Sequence, residues 1–119
     1  MLEEHKVDDK IKVVAFVERV KAYGYSNIES TNHTFKRLSQ KQREVYTEEE
    51  LKRIIFNEKP LEVGIQKNRN YVVIYNFRLN KYIRILLDFT TNKIYIVTFY
   101  ILNKEQQKDL TDGSRKGFE

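Results

Sequence analysis

His33 and Arg37 stand four residues apart in the run His33-Thr34-Phe35-Lys36-Arg37, with Lys41 and Arg43 close behind and no acidic residue between positions 33 and 43. On a helix that spacing puts the imidazole and the guanidinium on one face, one turn apart. Histidine exchanges its proton near neutral pH, and fixed cations beside it suit chemistry on a phosphodiester. Cleavage of RNA by its own 2′-hydroxyl asks a protein for a base, an acid, and cations that steady the phosphate oxygens as they gain charge. His33 fits as base or acid, and Arg37 and Arg43 fit as holders of phosphate. Tyr100 or Tyr82 could stack on a base or donate a proton. The same run also reads as an ordinary solvated helix face, so the rest of the chain must weigh between the two.

Competing chemistries fall away. With no cysteine in the chain, disulfides, thiolate catalysis and thiolate metal sites are excluded. No glycine-rich phosphate loop and no serine elbow motif is present, which argues against nucleotide triphosphate hydrolysis and serine catalysis. His5 and His33 lie far apart in different surroundings, so no metal site and no cofactor are expected. The cluster Glu48-Glu49-Glu50 is accounted for by helix capping and the helix dipole.

The chain has 119 residues, 40% hydrophobic and 33% charged, which suits one globular domain with a real core. Net charge is +5, and its placement says more than its size. Residues 66–87 carry Lys67, Arg69, Arg78, Lys81 and Arg84 with no acid among them. With the acid-free run over 33–43, which also carries Lys36 and Lys41, this makes two such stretches, and two point to a polyanion, most commonly nucleic acid. Exposed strands also favour Lys and Arg as protection against edge pairing. No apolar run approaches the ~20 residues of a membrane helix, and residues 1–5 do not read as a signal peptide. The expectation is a cytoplasmic protein without a membrane partner.

The elements that must position these residues read as α+β. A helix is expected over residues 9–23, capped by Asp8 or Asp9, with Ile11, Val13, Val14, Phe16, Val17 and Val20 as its apolar stripe. Gly24 stands where a left-handed residue closes a helix. Residues 26–32 suggest a short strand or extended lead-in, and residues 33–42 a mostly polar helix with only Phe35 and Leu38 as large apolar groups. Thr47-Glu48-Glu49-Glu50 is a capping-box pattern opening a helix to residue 57, with Leu51, Ile54 and Ile55 inward, and Pro60 prevents continuation.

From residue 61 the period changes to two, giving strands over 61–67, 71–78, 81–89 and 93–102 joined by hairpin-length, asparagine-containing turns. Tyr71, Tyr75 and Phe77 form a core face. Ile94 and Ile96 on one side of the last strand, and Val97 and Phe99 on the other, predict a central strand covered on both faces. The expected organisation is one domain over residues 1–104, a tail over 105–119, and two to three helices on a four- to five-stranded, mainly antiparallel sheet.

The order of these features resembles the DUF4258 family of small proteins, grouped with RelE/ParE-like toxins in the barnase–RelE ribonuclease class. The matching residues are His33 and Arg37, residues 50–60, and Val97-Thr98-Phe99-Tyr100, within a core over residues 27–102. The family's second helical arginine falls here on Lys41, with Arg43 two residues later, and Glu44-Val45-Tyr46 lacks the family's Gly-Ile/Val step. The resemblance implies a RelE-like fold, metal-independent RNA cleavage of free or ribosome-bound mRNA, and neutralisation by an antitoxin chain. The site it implies is His33 for proton transfer, Arg37 with Arg43 or Lys41 for phosphate, and Tyr100 as an auxiliary. The alternative is a non-catalytic nucleic-acid- or protein-binding module of mobile-element origin. A third reading is an interaction protein whose sheet edge pairs with a partner strand.

Overall fold

Alternation with a period of two dominates the second half of the chain, and there a meander forms: β3 (Glu62–Ile65), β4 (Tyr71–Asn76), β5 (Lys81–Phe89) and β6 (Ile94–Asn103). The computed structural model describes residues 9–36 and 38–103, with residues 9, 10, 40 and 41 placed by backbone alone. Arg37 and the expected tail over 105–119 therefore lie outside the described residues. Two short strands complete the sheet, β1 (Asp9–Lys10) and β2 (Ile28–Ser30). Strand order is β1-β3-β4-β5-β6-β2, antiparallel throughout except that β2 runs parallel to β6.

Three helices accompany it: α1 (Val13–Tyr23), α2 (Gln40–Val45) and α3 (Glu48–Asn57). The fold is α+β. α1 buries Phe16 and Val20, and α3 buries Leu51, Ile54 and Ile55, against one face of the sheet. That face presents Val63, Val73, Tyr75, Ile83, Ile85, Leu87, Ile94, Ile96 and Phe99, all in a single core. Each such side chain, taken fully out of water, contributes about 1.5–3 kcal/mol before entropy is charged. The Tyr71–Tyr75–Phe77 face is core, as its spacing requires.

Three expectations are corrected. Helix α1 begins at Val13, because Asp9 and Lys10 pair with Ile65 and Gly64 instead; its N-cap is Lys12, with no side-chain cap bond. Residues 32–36 are turns rather than helix, and α2 starts only at Gln40. The expected α+β layout of two to three helices on a mainly antiparallel sheet is present, with the two-residue β1 added at one edge. β6 is next to the edge, not central, and its two-sided apolar pattern has a local cause. Leu87 pairs with Ile96 and Leu86 with Thr98, so Val97 is an extra residue at a bulge. The bulge resets the alternation, and Phe99 returns to the same face as Ile94 and Ile96.

Candidate nucleic-acid interface

His33 lies in the loop between β2 and α2, and the loop is held by its own hydroxyls. Thr34 is completely buried, and its Oγ1 donates to the Ile96 carbonyl at 2.6 Å. The same oxygen accepts the Thr31 N–H at 2.8 Å, while Thr31 Oγ1 accepts the His33 N–H at 3.2 Å. Successive turn bonds, Lys36 N–H to His33 carbonyl and Leu38 N–H to Phe35 carbonyl, carry the chain to α2. Phe35 packs edge-on against Phe99 at 5.7 Å. The loop is thus nailed to the sheet, while His33 and Lys36 point into solvent.

Arg43, on α2, turns back on this loop. Its Nε donates to the Phe35 carbonyl at 3.0 Å and its Nη2 to the Lys36 carbonyl at 3.1 Å. Those acceptors are neutral, so the charge persists at the surface while the fork's geometry is spent on backbone. Helix α2 is opened by Ser39 and Gln42, each side chain bonding the other's backbone N–H. This reciprocal box is a Ser-x-x-Gln pattern present in the sequence, and it would have placed the helix start seven residues later than the polar run suggested.

Tyr46, which caps the end of α2, joins this loop to the β4–β5 turn. Its ring lies 6.0 Å from both Phe99 and Phe77, and the Arg78 guanidinium sits 5.4 Å over it. Arg78 adopts a positive φ of 52°, and its Nη2 pairs with Glu50 Oε1 at 3.0 Å. Lys81 opens β5 at the same end. Tyr46 thus brings α2, with Arg43 and the loop carrying Lys36, toward the β4–β5 turn that carries Arg78 and Lys81, while His33 lies further back along β6, next to the Thr34 that bonds Ile96.

The other predicted residues go elsewhere. Lys67 and Arg69 are exposed in the β3–β4 turn, at the opposite end of the sheet, with Arg69 at φ 73°. Tyr100 does not share the face on which the loop packs. It alternates with Phe99, so it stands on the sheet face away from the helices, where it pairs across strands with Arg84. In register, Glu62, Ile74, Arg84 and Tyr100 form one row across four strands. Arg84 is 8% exposed, and burial pulls its pKa below the ordinary arginine value while Glu62 and Tyr100 oppose that shift. The row was not anticipated, since only register reveals it. Lys41 is placed by backbone alone, on α2, and Arg37 is outside the described residues; His33 itself lies in a turn, not on a helix.

Among the described residues no group of three His, Asp or Glu side chains stands close enough to hold a metal ion, and no helix is long and apolar enough to cross a membrane. No family model, curated protein or solved structure matches the chain.

Proposed function

We propose that the protein is RNA-directed and grips phosphates at the end of the sheet where the His33 loop meets the β4–β5 turn. The supporting observation is the bridge through Tyr46, which packs on Phe99 and Phe77 beneath the Arg78 guanidinium and so brings α2, with Arg43, to the β4–β5 turn. Glu50 offsets Arg78 in part, so Lys36, Lys81 and Arg43 supply most of the free charge. Such a surface attracts a polyanion without reading its sequence.

A finer reading adds metal-independent cleavage, as in a toxin held in check by an antitoxin chain. What favours it is His33, exposed on a loop made rigid by Thr34 and Arg43, with Lys36 three residues away. An exposed imidazole on a backbone held in place, with a cation three residues away, is suited to proton transfer at a phosphodiester. Binding alone, the work of a non-catalytic module, needs none of His33.

Both are measured with fluorescently labelled single-stranded RNA. Affinity should fall steeply with salt, and replacing both Lys36 and Lys81 by alanine should weaken binding several-fold and flatten the salt slope by about 0.7 per lost phosphate contact. Binding indifferent to salt would end the RNA reading. Incubation with RNA in EDTA tests cleavage: loss of product in His33→Ala supports catalysis, and equal product in that variant removes it.

A further inference from the structure

The opposite end of the sheet holds an open cleft of about 320 Å³, lined by Ala22, Tyr23, Asn27, Thr91 and Asn92. Its walls are fixed before any ligand arrives. The Tyr23 hydroxyl donates to the Thr90 carbonyl, and the Tyr23 ring meets Phe89 edge-on at 5.3 Å. Asn27 Nδ2 donates to the Tyr23 carbonyl at 2.7 Å, which sets the amide's orientation. The β5–β6 turn that carries Thr91 and Asn92 is closed by the Thr90 N–H on the Lys93 carbonyl at 2.8 Å and by the Lys93 N–H on Thr90 Oγ1 at 3.1 Å.

Among the described residues no carboxylate and no cation lines the cleft; its side chains offer the Tyr23 ring, the primary amides of Asn27 and Asn92, and the Thr91 hydroxyl. Beside it, the Arg19 guanidinium lies 5.9 Å over the same Tyr23 ring and 4.5 Å over Phe89. A free phosphate would need the cations inside the cleft, not beside it. A planar, uncharged group with donors and acceptors along its edge matches an amide-lined aromatic wall, and the neighbouring guanidinium suits an attached phosphate. From this we infer that the cleft takes one nucleobase of an RNA strand, with Arg19 facing that nucleotide's phosphate. The inference rests on the RNA-directed reading and names a second contact point for the same ligand.

The test uses the full-length, ¹⁵N-labelled protein, titrated with AMP, UMP and, separately, ribose 5-phosphate. The side-chain amide signals of Asn27 and Asn92 should move with the nucleotides and stay still with the sugar phosphate. Asn92→Ala should weaken that nucleotide response about tenfold, with the backbone spectrum otherwise unchanged. Still amide signals with both nucleotides, or an undiminished response in Asn92→Ala, would overturn the base site. Equal movement with ribose 5-phosphate would also overturn it, in favour of an anion contact. Because free nucleotides are the probes, these outcomes stand apart from the salt-dependent RNA binding that decides the broader reading.

Discussion

Three consecutive carboxylates at the start of α3 hold three different parts of the molecule. Glu48 accepts both the N–H and the hydroxyl of Ser30, at 2.8 and 2.7 Å, tying β2 to the helix. Glu49 accepts the Tyr25 hydroxyl at 2.6 Å, and Glu50 meets Arg78. The sequence explains their presence by capping and dipole, and half of that is visible: Thr47 accepts the Glu50 N–H at 3.2 Å, while the Glu50 side chain serves the ion pair instead of closing the box. Their tertiary partners, 18 to 28 residues away, leave no periodic trace in the chain. The Ser30 hydrogen bonds hold the Glu48 carboxyl below its ordinary value of 4.5. A depressed folded pKa gives stability that is present above the unfolded value and is lost as pH falls through the folded one. Glu48→Gln should therefore destabilise the fold by about 1 kcal/mol at neutral pH, the low end for a charged hydrogen bond because the site is partly solvated. The two proteins should converge as urea titrations are taken below about pH 4, where wild type loses its advantage. A constant difference across that range would refute the assignment.

At the scale of elements, the C-terminal ends of α1 and α3 were legible in the sequence, while the starts of α1 and α2 were not. Gly24 closes α1 as expected, donating to the Val20 carbonyl, but at φ 92° and ψ 150° it lies beyond the left-handed helical well, in backbone space that side chains avoid. An added Cβ would meet no atom within 4 Å, so any cost is conformational. Gly24→Ala should lower stability by about 1–3 kcal/mol, and Gly24→Asn by a similar amount, since asparagine's tolerance covers only the left-handed helical well. A thermal melt in which Ala matches Gly would show that the turn relaxes. The elements misjudged from sequence share one reason: tertiary bonds outweighed local pattern. The 33–42 run has helical composition, yet Thr34 is drawn to the Ile96 carbonyl and Arg43 to the carbonyls of Phe35 and Lys36, which favours turns. Likewise the bulge at Val97 turns an apparently two-faced strand into a one-faced one, and alternation cannot announce an inserted residue.

At the scale of the whole molecule, the basic residues that looked like one surface in sequence are divided by the length of the sheet. Arg78 and Lys81 stand at one end of β5, and the turn holding Lys67 and Arg69 adjoins the other, because β4 and β5 run antiparallel. The nine residues of β5 separate the ends by eight steps of ~3.3 Å, about 26 Å in all. At ~3.4 Å per stacked nucleotide, about eight nucleotides cover that span. An RNA shorter than this engages one end, and a longer one engages both, adding the second contact as an intramolecular event. Affinity should therefore rise sharply, beyond the statistical gain from extra sites, once oligonucleotide length passes that threshold. Replacing Lys67 and Arg69 together by alanine should remove the rise for long strands and leave the binding of short ones unchanged, whereas the Lys36 and Lys81 replacements should weaken both. Smooth growth of affinity with length, unaltered by the Lys67 and Arg69 replacements, would mean that the two ends serve separate purposes and that RNA occupies only the His33 end.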